Sequence, residues 1–481
     1  MSKDKDVNTA ELDVGREALS SLTAKLTMSV FGFVSILVFA RVLGPAGVGR
    51  YYIAYTISLI LIRISAGVGQ AVKKRVSEVD EAPHEYLGVG ILFHVAFLGV
   101  GGGLIWVLYG FTDLITQADV AAAVFAVFAT EGLFQILNRF YQGLGHPGES
   151  FWIDTFRSVL TTVFQLALLF AGMEAFGLLV GIALATVVCV VILLIRAGVR
   201  PALPSRRAID RIAEFARWSV GTSIVSNAYS RLDVIVLGWL VGDAAVGFYE
   251  TALRLVTPAT QVAGSISTSI NVKASGKSSL GEDVLGDVSN AISYTGLFAI
   301  PIFFGALALP RPLMQTFFSG AFAEGGPALV GIAAFTAINV FNQPLIAVIE
   351  GTNRPRDVFR VQSLVFALNV PMAVLFTNWF GLLGVVAATF LSEFVMFLMY
   401  EYNTVETFGE YVFPRPVFEQ LASGAVMCGV ILLLRNVVSL REWPAVIAVV
   451  AFGACVYFAT ITVISSHFRL TVRNVAGPLL S

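Results

Sequence analysis

Ten charged residues fall inside otherwise apolar stretches of this sequence, and they are where chemistry is to be sought. Five are cations: Lys25, Arg63, Arg157, Arg231 and Arg254. Five are acids: Glu131, Asp154, Asp233, Glu250 and Glu393. A charge within an apolar span costs a few kcal/mol, so it normally faces a partner or water and suggests function. Cations so placed suit an anionic group such as a phosphate, and Lys25, Arg63, Arg231 and Arg254 are the candidates for that role. Asp154 and Arg157, three residues apart on one helix face, are expected to form a local ion pair. Arg231 has Asp233 and Glu250 as possible counter-ions. Glu131 and Glu393 have no sequence-local partner, which makes them candidates for H⁺ or Na⁺ coupling. The amides Asn339, Asn342, Gln343, Gln362 and Asn369 could line a polar wall for a sugar; helix–helix hydrogen bonds would explain them equally well. Arg41 and Arg50 flank a turn, where a gate or an ion pair is expected.

Other chemistries find no support. The four histidines, His84, His94, His146 and His467, are scattered, and Cys189, Cys428 and Cys455 each sit in an apolar run, so no metal-ligand spacing exists. The glycine run 101–103 is not followed by Lys-Ser/Thr, so it is no phosphate-binding loop. No catalytic residues, metal or cofactor are expected, apart from an H⁺ or Na⁺ gradient.

The elements that must position these charges are membrane spans. Of 481 residues 57% are hydrophobic and only 13% charged, far from the balance of a soluble domain. The net charge of −1 supplies no basic field for nucleic acid. Residues 1–17 mix both signs and carry no signal-peptide pattern. Apolar runs of spanning length lie near 20–41, 50–70, 87–109, 118–138, 151–171 and 176–195. After a polar break they resume near 217–240, 247–270, 288–309, 327–348, 358–377 and 381–400, with two more near 420–437 and 444–465. The expected fold is an all-α polytopic membrane protein of about 14 transmembrane helices. It divides into an N-terminal tail and six-helix bundle (1–204), a second six-helix bundle (205–405), and two additional C-terminal helices with a tail (406–481). Pro258, Pro301, Pro344 and Pro371 lie within spans, where they kink a helix that its neighbours support. With the N-terminus inside, 21 of the 31 basic residues fall in the N-terminal tail and inner loops and five in outer ones, which predicts two cytoplasmic termini. The widest inner loop, 196–218, reads as an interfacial connector between bundles.

An internal repeat links the halves. LGPAGVGRYY (43–52) matches VGDAAVGFYE (241–250) at a shift of 198, QGLGHPG (142–148) matches EGTNRPR (350–356) at 208, and FGLL recurs at 176 and 380, a shift of 204. Six spans separate the copies, so the halves share one orientation and are expected to form two parallel bundles. Such halves rocking about a midplane site would give alternating access.

At these same residues the sequence resembles a known family. The stretch 18–57, with an apolar helix followed by Arg41, Leu43-Gly44-Pro45, Gly47 and Tyr51, is similar to the first hairpin of polysaccharide-export and lipid-linked oligosaccharide flippases. These belong to the multidrug/oligosaccharidyl-lipid/polysaccharide exporter superfamily. The stretch 231–255 resembles the second half's version, with Leu232-Asp233 and Val246-Gly247-Phe248-Tyr249. The resemblance runs from about residue 18 to 402. It implies translocation of a polyprenyl-(pyro)phosphate-linked oligosaccharide to the outer leaflet of the cell membrane, with cations on the helices of Lys25, Arg63 and Arg254 facing the diphosphate. It also implies a monomer among membrane lipids, with glycan-assembly proteins as possible partners. Two alternatives stay open: a cation-coupled small-molecule or multidrug exporter of the same architecture, and a membrane glycan polymerase or glycosyltransferase. The short outer loops count against the latter.

Overall fold

The computed structural model describes residues 14–78, 82–112, 114–280, 284–440, 442–470 and 473; the side chains of 14–30, 217–228, 279 and 408 lie outside that description. Its helices are α1 (Val14–Val76), α2 (Pro83–Phe111), α3 (Ala118–Gly143), α4 (Pro147–Phe170), α5 (Glu174–Ala197), α6 (Arg206–Leu240) and α7 (Asp243–Leu280). These are followed by α8 (Leu285–Ala308), α9 (Pro310–Phe317), α10 (Gly326–Gly351), α11 (Pro355–Phe380), α12 (Leu382–Phe408), α13 (Pro416–Arg435) and α14 (Trp443–Ile464). A 3-10 turn, Gly320–Gly325, joins α9 to α10. No strand occurs among the described residues. Among them, eleven helical segments are long and apolar enough to cross a membrane. The chain is an all-α polytopic membrane protein. The 38-residue α7 is too polar to be one of the eleven.

The first two expected spans both belong to α1, with no loop between them. Gly44 breaks that helix with φ 66° and ψ −177°, and Pro45 follows it. Proline lacks the N–H that would continue the ladder, and only glycine takes this backbone without strain. The chain therefore turns at a point rather than through a loop.

The helices group into two units, residues 1–239 and 240–481. In the first, α1 packs on α3, α4 and α5, α3 and α4 pack on α5, and α2 packs on α3. The division falls at the end of α6 rather than in the polar segment before it. The reason is local: Ala208 and Ile212 of α6 enter a buried apolar cluster with Val72 of α1, Tyr86 of α2, Phe140 of α3 and Leu193 of α5. Ion pairs of Glu78 with Arg75 (3.0 Å) and Arg211 (3.1 Å) tie α6 to the end of α1. In the second unit α7 packs on α10, α10 and α11 on α12, and α8 on α10, while α13 joins α8 to α14. The pairings α1–α3, α2–α3, α3–α5 and α4–α5 recur there as α7–α10, α8–α10, α10–α12 and α11–α12.

The repeat is also visible in the backbone. Gly44 and Gly242, 198 residues apart, both have positive φ, 66° and 109°. After α3, the amides of Leu144, Gly145 and His146 donate to the carbonyls of Phe140, Gln142 and Tyr141 at 3.1, 3.1 and 3.4 Å. After α10, Thr352, Asn353 and Arg354 donate to Val348, Glu350 and Ile349 at 2.9, 3.0 and 3.0 Å. Every one of these positions is shifted by 208. Gly145 and Asn353 take the left-handed residue of this helix stop, with φ of 93° and 62°, and a proline opens the next helix in both.

Close packing repeats as well. A Cβ on Gly143 would stand 2.9 Å from the Lys73 carbonyl oxygen of α1, and one on Gly351 would stand 2.7 Å from that of Asn271 on α7. Lys73 and Asn271 are themselves 198 apart. In both units the absent side chain lets a helix end lie against a neighbouring backbone.

Candidate functional site

Four of the intramembrane polar residues of the first unit form one buried cluster. α3 supplies Glu131, α4 supplies Asp154 and Arg157 on one face, and α5 supplies Thr186. Arg157 donates to Asp154 Oδ1 from Nε (3.0 Å) and Nη2 (2.8 Å), and from Nη1 to Glu131 Oε1. The Thr186 hydroxyl lies 3.2 Å from the same Glu131 oxygen. Arg157 also rests on the Phe134 ring, 4.8 Å from its centroid. Glu131 is 4% exposed and Asp154 27%, so the pair is graded from sealed to half-open. Glu131, with no neighbour of opposite charge nearby in sequence, thus finds one across the helix packing. With all three groups ionised the cluster carries one net negative charge.

The second unit holds its own buried acid, Glu393 on α12. Asn339 Nδ2 donates to both of its oxygens at 3.2 Å, and Asn342 Nδ2 donates to Oε2 at 2.9 Å. Gln343 Nε2 then donates to Asn339 Oδ1 at 3.1 Å. Glu393 and Asn342 are 3% and 0% exposed. Asn339 stands 208 residues after Glu131, the shift that relates α3 to α10. In each unit a carboxylate sits between the same pair of repeat-related helices. It comes from α3 in one copy and from α12, not α10, in the other.

Of the other amides expected to line a polar wall, Asn369 is buried and donates to Ser392 Oγ at 2.9 Å. Gln362 is half-buried on α11. The buried Asn342 and Asn369 thus tie helices together, while Asn339, Gln343 and Gln362 keep part of their surface.

The cations are placed differently from the acids. Arg63 is exposed on α1 within a segment long and apolar enough to span a membrane. Arg254 on α7 keeps about a third of its side chain exposed, and its Nη2 lies 3.9 Å from Oε2 of the buried Glu250 one turn earlier. Arg231 is half-buried on α6, two residues before the buried Asp233. Lys25 belongs to α1, and its side chain lies outside the described residues. Near the turn at Gly44, Arg50 stands 4.0 Å from Glu174.

Two features escape a reading by residue type. His94 of α2 is 2% exposed, with Nε2 2.8 Å from the Ala129 carbonyl and Nδ1 3.1 Å from Ser65 Oγ. It links α1, α2 and α3. The other is the exposed face of α7, which carries hydroxyl and amide groups at three- and four-residue spacing; that spacing in 254–269 was the available signal. Among the described residues no group of histidine, cysteine and carboxylate side chains could hold a metal ion.

Helices arranged twice over, with a buried carboxylate within the apolar spans of each unit, define a polytopic membrane protein of transporter-like architecture. The chain belongs to the polysaccharide biosynthesis protein family, whose model matches residues 14–270, more than half of its length. It is 23% identical over 470 residues to the probable low-salt glycan biosynthesis flippase Agl15 of Haloferax volcanii, covering 96% of this chain and 98% of that protein. It is 22% identical over 466 residues to the probable flippase AglR of the same organism, covering 93% and 96%. In fold it is similar to the lipid II flippase MurJ in an inward closed conformation, with a TM-score of 0.76 at 15% identity over 95% of this chain and 99% of that one. An inward-facing multidrug resistance MATE transporter follows with 0.62 at 14% identity, over 82% and 100%.

Proposed function

We propose that the protein is a flippase that carries a polyprenyl-(pyro)phosphate-linked oligosaccharide from the inner to the outer leaflet of the cell membrane. The observation that carries this reading is the pair of arginines that keep exposed surface, Arg63 within the apolar α1 and Arg254, partly exposed, on α7, in a family member matched along nearly its full length by proteins named as probable flippases, one of them of glycan biosynthesis. A guanidinium offers paired N–H donors with the geometry of a phosphate oxygen pair. Arg63, Arg254, Arg231 and Lys25 are the residues assigned to the phosphate. Asn339, Gln343 and Gln362, the amides with surface left, remain candidates for sugar contact. The protein does its work as a carrier without bond making, with both termini on the cytoplasmic side, where its basic loops are held. Proteins that build and consume the lipid-linked glycan are its expected functional partners.

Deleting the gene tests the reading: lipid-linked glycan should be made and remain on the cytoplasmic face. Normal surface glycan in the deletion strain, with no second flippase present, would refute it.

The two buried acids support coupling to a cation gradient. The cluster of Glu131, Asp154 and Arg157 holds two carboxylates against one cation, and Glu393 sits among amides. Transport that persists after ionophores collapse both H⁺ and Na⁺ gradients would remove this part of the proposal. An ion-coupled exporter of small molecules shares these acids. It is distinguished by transport of soluble cationic dyes, which the flippase reading does not expect.

A further inference from the structure

On α7, beginning seven residues after Arg254, the exposed positions are Gln261, Ser265 four residues on, and Thr268 and Ser269 three and four residues after that. They share one face of the helix. The face spans about 20 Å from Arg254 to Ser269 at 1.5 Å per residue. Gly264 approaches Gln343 of α10, its would-be Cβ 3.6 Å from Oε1, and Gln343 lies within the apolar segment Gly320–Gly351. The polar face therefore runs at the depth of a membrane span. The exposed face of α2, by contrast, is apolar, with Leu92, Val95, Val100 and Leu104. A polar stripe turned toward lipid would be costly, so this one faces water.

The equivalent helix of the first unit keeps a polar stripe in the same register. Arg63 and Gln70 of α1 are exposed and correspond, at the shift of 198, to Gln261 and Thr268. Two of the four positions are thus exposed and polar in both copies, while Ser265 and Ser269, opposite the buried Gly67 and Ala71, belong to the second copy.

The hydroxyls have a definite chemical sense. Ser265 Oγ donates to the Gln261 carbonyl at 3.0 Å, Thr268 Oγ1 to Gly264 at 2.9 Å and Ser269 Oγ to Ser265 at 3.3 Å. Each hydroxyl proton is spent on the helix, so what these three side chains turn outward is oxygen lone pairs, while Gln261 adds an amide with both donor and acceptor. Acceptors repel phosphate oxygens and suit hydroxyl donors. We propose that the Gln261–Ser265–Thr268–Ser269 face of α7 is the surface along which the sugar hydroxyls of the lipid-linked glycan dock, with Arg254 above it holding the phosphate. The assignment rests on the flippase reading and adds to it which element reads the glycan. Its recognition is generic to polyols, because acceptors spaced along a helix ask for hydroxyl groups rather than for one stereochemistry.

The test uses full-length protein in proteoliposomes with two probes: the lipid-linked oligosaccharide extracted from the source cells, and the same lipid enzymatically trimmed to its first sugar. In the variant Gln261→Leu/Ser265→Ala/Thr268→Val, the ratio of oligosaccharide-lipid to single-sugar-lipid transport should fall by about tenfold, as losing several hydrogen bonds to the longer glycan requires. In a background with Cys189, Cys428 and Cys455 replaced by alanine, Ser265→Cys and Thr268→Cys should react with a charged thiol reagent, and Val95→Cys should not. An unchanged ratio, or no labelling at 265 and 268, overturns the assignment. Wild-type protein that moves neither lipid overturns the flippase reading itself.

Discussion

Asn342 of α10 donates a 2.9 Å hydrogen bond to Oε2 of Glu393 on α12, and both residues are sealed from solvent. A carboxylate in such a place depends on its amide donors. Replacing Asn342 with leucine removes its hydrogen bond to the Glu393 carboxylate, and the protein should lose about 1–3 kcal/mol of stability. Glu393→Gln keeps the volume and most of the hydrogen bonding. It is expected to hold its melting temperature in detergent within a few degrees while losing dependence of transport on the ion gradient. Thermal denaturation and proteoliposome transport of the two variants separate the structural role from the coupling role.

The first unit answers differently because its acid is paired with a cation. Arg157→Ala would strand Glu131 in the helix packing and should destabilise the protein by about 3–5 kcal/mol. Removing both charges, Arg157→Met with Glu131→Leu, should recover most of that loss. A double-mutant cycle on denaturation midpoints checks it; equal losses in the single and double variants would show that the pairing does not dominate.

Arg63→Ala and Arg254→Ala should each abolish complementation of a deletion strain while the protein accumulates at normal levels. Arg63 is exposed and Arg254 partly so, so neither is needed to fill a core. Arg254→Lys keeps the charge without the planar donor pair and should restore only part of the activity. Full activity of both alanine variants would exclude the phosphate role.

The repeated close contacts predict a matched pair. Gly143→Ala and Gly351→Ala each drive a methyl group against a carbonyl oxygen, at 2.9 and 2.7 Å. Each should cost about 1–3 kcal/mol, as overpacking does. Gly103→Ala on α2, with nothing within 4 Å of its Cβ, should change stability by no more than about 0.5 kcal/mol. Melting temperatures of the three variants measure this directly.

Much of the helical layout was legible in the apolar runs, because in lipid a helix of some twenty apolar residues has few alternatives. The repeat was legible at its turns, where Gly44, Gly242, Gly145 and Asn353 must take left-handed backbone and so limit residue choice. The partnership of Asp154 with Arg157 followed from helical spacing. That of Arg157 with Glu131 did not, since it joins neighbouring helices across 26 residues of chain. The amide cluster at Glu393 was visible as composition but not as a contact for the same reason. The polar face of α7 went unnoticed because Ser and Thr are unremarkable singly; only exposure separates a hydroxyl turned to water from one turned into the packing.

The cluster of Glu131, Asp154, Arg157 and Thr186 has a consequence for how the chain is made. All four residues come from α3, α4 and α5, three consecutive helices contained within residues 118–197. Synthesis proceeds from the N-terminus and domains generally fold as units. Arg157 can therefore meet both of its carboxylates while the ribosome is still far from the second unit, and it needs no later segment to neutralise it in the bilayer. A nascent chain caught midway thus carries no bare guanidinium at this point to draw it back out of the membrane.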